Sequence, residues 1–244
     1  MTKRLYIFII SILSLTACND YIVENDGVYY KDWNESRGFK KRLLKELDPE
    51  TFETLDNDDY GKDSKLVYYK GNPIIGADAL TFEFIGDLYA TDKNRAYYAG
   101  KTIQNSSNKE FKIIDSYYSS DYKDIYYTTE PLHVSSVKNF KIFPNSNNDS
   151  EYQRWSTDGY HYFFMNFKIP SNDYKNIYLF KESAGFAKDR KWVYMMSRKL
   201  NFDDEGKKII DTIDVATFRV NNYIDCEDKF GCINPYLGRQ ECNK

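Results

Sequence analysis

Residues 77–103 read ADALTFEFIGDLYATDKNRAYYAGKTI, and this stretch decides the fold. Asp78 stands three residues before Thr81-Phe82, the spacing at which an aspartate caps a helical turn. An apolar run follows, then Asp92-Lys93-Asn94, the pair Tyr97-Tyr98, and Ala99-Gly100-Lys101. An aspartate that opens a turn bonds the N–H groups ahead of it, while Asn and Gly accept positive φ. With β-formers on both sides, the Asp92 turn and the Gly100 turn both signal hairpins.

The same order recurs along the chain. Tyrosine-led pairs fall at Tyr29-Tyr30, Tyr68-Tyr69, Tyr97-Tyr98 and Tyr126-Tyr127, at intervals of 39, 29 and 29 residues. Looser forms follow at Tyr162-Phe163, Tyr178-Leu179 and Tyr194-Met195. A second marker keeps step with the first. Phe52, Phe82, Phe111 and Phe218 precede the turn aspartates Asp63, Asp92, Asp121 and Asp228 by 11, 10, 10 and 10 residues. Asp48-Pro49-Glu50-Thr51 adds a helix start, with Asp as cap and Pro at the first helical position. The 23 tyrosines and 16 phenylalanines suit a pleated, half-wet surface. The expected fold is mainly β: a tandem array of six or seven hairpin units of 29–39 residues, with short helical turns between them.

The Asp-Lys-Asn turn, the tyrosine pair and the Asp78-to-Phe82 element resemble the DKNYY repeat family of bacterial exported proteins. The resemblance runs from about residue 24 to 233 and is closest between 60 and 130. It implies an exported repeat protein and carries no established activity. The spacing breaks between Phe140 and Asp158, where Pro144 to Asp149 intervenes, and again at Asp173 to Tyr178.

The N-terminus gives an address. Lys3 and Arg4 precede the uncharged apolar run Leu5 to Leu15, which is too short to span a bilayer and suits a secretory signal. Leu15-Thr16-Ala17-Cys18 resembles the lipobox of bacterial lipoproteins. That likeness implies cleavage before Cys18 and acylation there, with a diacylglyceryl thioether and an N-acyl chain such as palmitate. The expected division is therefore a signal peptide at 1–17, a lipidated tether at 18–23 and a repeat domain at 24–244. The expected place is the cell envelope, anchored in a membrane, the outer one favoured. Without Lys3 and Arg4, 32 basic face 37 acidic side chains, a balance that argues against nucleic acid.

Chemical motifs are sparse. His133 and His161 are the two histidines, and no Gly-x-Ser-x-Gly elbow is present. Asp56-Asn57-Asp58-Asp59 fails as an EF-hand because Tyr60 and Val67 occupy its fifth and twelfth places. No catalytic residue, cofactor or metal is assigned. Cys226 and Cys232 flank the last turn aspartate and are expected to bridge, with Cys242 an alternative partner for either. Phe39, Leu43, Leu44 and Leu47, interspersed with basic residues, read as an amphipathic helix packed on the first units or touching anionic lipid. Tyr68, Tyr69, Tyr97, Tyr98, Tyr126 and Tyr127 are the candidate binding residues, one ring of each pair packing inward and its neighbour meeting water. The function expected is a non-catalytic scaffold binding an envelope protein or glycan. The alternatives are an envelope hydrolase whose carboxylates no motif reveals, and a structural filler with no specific ligand.

Overall fold

The computed structural model describes residues 20–143, 154–181, 183 and 185–242. The signal segment 1–17, the lipidation candidate Cys18 and the polar loop at 145–150 lie outside the described residues. The described chain forms two compact units, one ending at Phe84 and the other starting at Ile85. It is almost wholly β. Seven small antiparallel sheets follow one another along the sequence, the first of three strands and the rest of four. The helical element among the described residues is the 3-10 turn Tyr174–Asn176. No helix there is long and apolar enough to cross a membrane.

The fourth sheet shows how the sequence makes a repeat. Its strands are Lys112–Ile113, Tyr118–Ser120, Ile125–Tyr127 and Glu130–Pro131, paired in that order. The Asp121 turn joins the middle two, setting Tyr118, Ser119 and Ser120 opposite Tyr127, Tyr126 and Ile125. Thr128 then reverses the chain with φ 52°. Leu132 closes the repeat by donating its N–H to the Ile125 carbonyl at 2.8 Å. The closing bond recurs from Ile74 to Val67, Ile103 to Ala96, Ile169 to Tyr162 and Leu200 to Val193. The helical turns expected between sheets are single hydrogen-bonded turns, such as Thr51 N–H to the Asp48 carbonyl and Phe218 N–H to the Asp214 carbonyl. One such turn fixes several dihedrals for one bond and does not propagate without further partners.

Packing explains the order of small and large residues. In each four-stranded sheet a small residue faces the first member of the pair or the residue in its place. Gly61 faces Tyr68, Ala90 faces Tyr97 and Ser119 faces Tyr126. Ser156 faces Phe163, Ala187 faces Tyr194 and Cys226 faces Ile233. All six small residues are buried. Space is short there, since a Cβ on Gly61 would sit 2.6 Å from the Phe52 ring. The other face of the same strands carries the ring pairs Tyr60–Tyr69, Tyr89–Tyr98, Tyr118–Tyr127 and Trp155–Phe164, with centroids 4.8, 4.9, 5.1 and 5.1 Å apart.

Consecutive sheets share their cores. In the first unit, Tyr68 of the second sheet enters the cluster of Tyr21, Val28, Tyr30 and Leu44. In the second unit, Tyr126 of the fourth sheet joins Tyr89, Ala96 and Ile103 of the third. Phe163 of the fifth joins Tyr118, Ile125 and Leu132 of the fourth, and Tyr194 of the sixth joins Trp155, Phe164 and Ile169 of the fifth.

Three sequence readings fail here. Residues 39–47 are not a helix: Gly38–Leu43 is a strand paired with Gly27–Asn34, and Leu44 and Leu47 follow it into the core. Phe39 and Leu43 are four apart, a spacing that one face of a helix and one face of a strand both produce. The first sheet's closing bond, from Leu44 N–H to the Val28 carbonyl, spans sixteen residues where the others span seven. The insertion is thus an elongated hairpin. Further on, Tyr178–Leu179 is the opening strand of the sixth sheet instead of a copy of the tyrosine pair. Phe163 and Phe164, not Tyr162 and Phe163, hold the pair's place in the fifth.

The small-residue rule gives a direct test. Gly61→Ala forces the Phe52 ring or the strand to shift and costs about 1–3 kcal/mol. Ser119→Ala occupies the equivalent place and removes a buried hydroxyl that lies beside the Tyr89 hydroxyl. It is expected to change stability by less than about 1 kcal/mol. Urea unfolding followed by near-ultraviolet circular dichroism measures both.

Candidate functional site

Six aspartates hold the turns between the second and third strands. On Asp63, Asp92, Asp121, Asp158 and Asp189, Oδ1 accepts the N–H groups two and three residues ahead. Oδ2 turns inward to the connector that precedes its own sheet. It accepts the N–H of Asp48 on Asp63, of Ser107 on Asp121, of Ser135 on Asp158 and of Asp214 on Asp228. On Asp189 the donor is the Ser171 hydroxyl. The first tyrosine of the pair adds its own hydroxyl, from Tyr97 to Asp92 at 2.6 Å, Tyr126 to Asp121 at 2.7 Å and Tyr194 to Asp189 at 2.5 Å.

Where that tyrosine is missing, another side chain replaces it. His161 Nδ1 lies 3.0 Å from Asp158 beside Phe163. Arg239 donates to both oxygens of Asp228, at 2.8 and 3.0 Å, beside Ile233. Burial alone would raise these carboxyls. On Asp63, Asp158, Asp189 and Asp228 the donors around them reverse that effect and leave each below its ordinary value.

This arrangement decides where the six candidate tyrosines sit. Tyr68, Tyr97, Tyr126 and Tyr127 are buried, while Tyr69 and Tyr98 are half-buried against Tyr60 and Tyr89. The expected alternation, one ring inside and one in water, holds only in part: Tyr69 and Tyr98 stay partly exposed, while both rings of the third pair are buried. Both faces of the middle strands are packed, so neither ring is left over as an exposed row.

The cysteine pairing is also corrected. Cys232 is bonded to Cys242, and Cys226 is a buried thiol. Register is the reason. Cys226 faces Ile233, while Cys232 faces Glu227 and Gln240, so Cys226 and Cys232 project from opposite faces of the sheet. Cys226 fills the small-residue position, where burial, with Asp225 and Asp228 adding, pushes its thiol up to about 12. It stays protonated and inert at neutral pH. Glu227, Cys232 and Cys242 bring ligand atoms within 4.8 Å of one another, but disulfide sulfurs offer no thiolate to a metal.

The histidines serve different aspartates, His133 lying 3.4 Å from Asp124 and His161 3.0 Å from Asp158. The acidic run at 56–59 is a hairpin turn. Asn57 accepts the N–H groups of Asp59 and Tyr60, and Asp59 reaches Lys70 and Tyr69.

The candidate site lies in the second unit, along the opening strands Tyr178–Leu179 and Arg219–Val220 of the sixth and seventh sheets. A groove of about 430 Å³ runs there between Tyr178, Phe180 and Lys181 and the chain at Val220, Asn221 and Asn222. Its aromatic wall is built. Tyr178 is 59% exposed yet sits edge-on to Phe180 at 4.9 Å, and Phe180 sits edge-on to Phe218 at 5.5 Å. Lys188 Nζ lies 6.0 and 5.8 Å from the Tyr178 and Phe180 ring centres and donates to the Val215 carbonyl at 2.9 Å. Burial lowers the Lys188 pKa, and Asp214 partly offsets this.

The opposite wall presents amides held in place. Asn221 donates to Glu227 at 2.8 Å, and Asn222 accepts the N–H groups of Ile224 and Asp225. Two aromatic rings with oriented amides and Lys181 suit binding by stacking and hydrogen bonds. Sequence reading missed this groove because Asn221-Asn222 carries no motif. The one signal was Tyr178, which falls between two regular slots of the repeat.

Seven tandem hairpin sheets, six of them on one aspartate-centred turn, define an all-β repeat protein. The chain belongs to the DKNYY family, whose pattern matches residues 21–166 and again 62–230. The overlap of the two spans is what a tandem repeat produces. No curated protein and no solved structure matches the chain.

Acid should find the turn anchors first. Unfolded carboxyls titrate near about 3.9, above the depressed folded values. The anchors therefore contribute fully above about pH 5, and their contribution is lost as pH falls through the folded values. The melting temperature is expected to be level from about pH 7 to 5 and to drop below about 4. A drop beginning near about pH 6, well above the range in which carboxyls take up protons, would remove the turn anchors from the account. Separately, a non-reducing tryptic map should join the Cys232 and Cys242 peptides, with Cys226 alkylated only after unfolding.

Proposed function

We propose that this protein is a lipid-anchored, non-catalytic scaffold of the bacterial envelope. Cys18 tethers it to a membrane, the outer one favoured, and the Tyr178–Asn222 groove holds a glycan or protein partner. The observation that carries this reading is the groove itself, a prearranged aromatic wall opposite fixed amides. That chemistry favours a glycan. A tyrosine face covers the apolar side of a sugar ring, while amides exchange hydrogen bonds with its hydroxyls.

The surrounding charges support holding over turnover. Glu227 is bonded first by Arg219 and then by Asn221, which keeps its pKa below the ordinary value and leaves it a poor proton donor. The turn aspartates are occupied by their structural donors. Several acyl chains on Cys18 would anchor the protein stably, since each buried CH₂ contributes about 0.8 kcal/mol.

The test has two arms. Tyr178→Ala removes an exposed ring and should weaken binding on a glycan array at least about tenfold, or about 1.4 kcal/mol, with the fold unchanged. Full retention of binding would remove the groove from the account. Cys18→Ser should release the protein from the membrane fraction, and continued retention would remove the anchor.

A further inference from the structure

We infer that the elongated hairpin of the first sheet docks its tip on an anionic lipid surface, a contact additional to the acyl chains. The inference rests on the anchor reading above for which surface lies nearby. It rests on the hairpin for everything else. The hairpin is surplus to the repeat: where other sheets turn directly after the aromatic pair, this one runs on through Lys31–Asn34 and returns through Gly38–Leu43. Nothing in the core explains the extension, because the leucine that closes the repeat, Leu44, is buried as its counterparts are.

The tip has the composition of an interfacial element. Trp33 and Phe39 face each other across the two strands, with ring centres 4.7 Å apart, and are 63% and 69% exposed. The next rungs on that face are Lys31 opposite Lys41, then Tyr29 opposite Leu43. Residues 31–42 carry five basic and two acidic side chains. One of the acids, Asp32, is bonded to Arg42 at 2.7 Å on the opposite face. Lys41 is paired with Glu24 of the neighbouring strand, and Arg37 and Lys40 are exposed at the tip beside Glu35. Tryptophan settles at the headgroup level of a bilayer, and flanking cations are drawn to anionic headgroups.

The path of the chain places this tip on the membrane side. Lys31 N–H bonds the Asp20 carbonyl at 2.8 Å, and the strand Tyr21–Glu24 then runs away from the tip, Tyr21 beside Tyr30 and Glu24 beside Gly27. The chain therefore enters the sheet at the end that carries Trp33. Cys18 precedes Asp20 by two residues, a reach of at most about 7 Å. Trp33 lies two residues beyond Lys31, also about 7 Å along the strand. An acyl chain on Cys18 would therefore lie within reach of the end of the sheet that carries the aromatic tip.

The test uses the full lipidated protein and its Cys18→Ser form. Both are mixed with phosphatidylcholine vesicles, with and without phosphatidylglycerol, carrying bromine-labelled acyl chains. Subtracting the fluorescence of Trp33→Phe isolates the Trp33 signal from Trp155 and Trp192. The expected result is that lipidated protein on anionic vesicles shows Trp33 emission shifted to the blue and quenched at least twofold. Vesicle-bound protein whose Trp33 is unquenched overturns the hairpin contact and leaves the anchor standing. Quenching that persists undiminished in the Cys18→Ser protein supports the hairpin and removes the anchor. A blue shift that follows protein concentration without lipid assigns the tip to a second copy of the chain and overturns the inference. Failure of both forms to bind vesicles overturns it as well.

Discussion

A buried carboxylate destabilises a fold unless its lone pairs are taken up by donors. The turn aspartate is the group on which every four-stranded sheet here depends. Its outer oxygen fixes the hairpin turn, and its inner oxygen ties that turn to the connector that led into the sheet. Asp121 shows the full set, accepting from Lys123, Asp124, Ser107 and Tyr126. The tyrosine five residues on is therefore not decoration on a sheet. It is a donor the carboxylate needs, and its ring also fills the preceding core. The compensation by His161 and Arg239 follows from the same demand, since a buried oxygen deprived of one donor recruits another.

Much of this was legible in the sequence. The turn aspartates and tyrosine pairs are local signals whose chemistry acts over a few residues, and they gave the fold class and the repeat. What could not be read was parity. Whether Cys226 or Glu227 shares a face with Cys232 turns on a single step of register, and a spacing of six residues leaves that step open. Phe39 and Leu43 failed likewise, because an interval of four suits either period. The matching small residues, from Gly61 to Cys226, were visible but unread, since their meaning lies in a ring from a distant connector.

The candidate site was hidden for a related reason. The repeat uses its most conspicuous tyrosines internally, and the surfaces proposed for partners lie where the repeat is broken. These are the irregular connection near Tyr178, the chain around Asn221 and the long hairpin at Trp33. Aromatic richness in such a protein speaks first of the core.

The sharing of cores between successive sheets in the second unit has an evolutionary corollary. Each sheet asks of its successor one ring of suitable size at one place, and Tyr126, Phe163 and Tyr194 all meet that demand. Gene duplication or loss of whole modules would then preserve every junction. Descendants of such a chain can change length in steps of one module while each surviving junction keeps its fit.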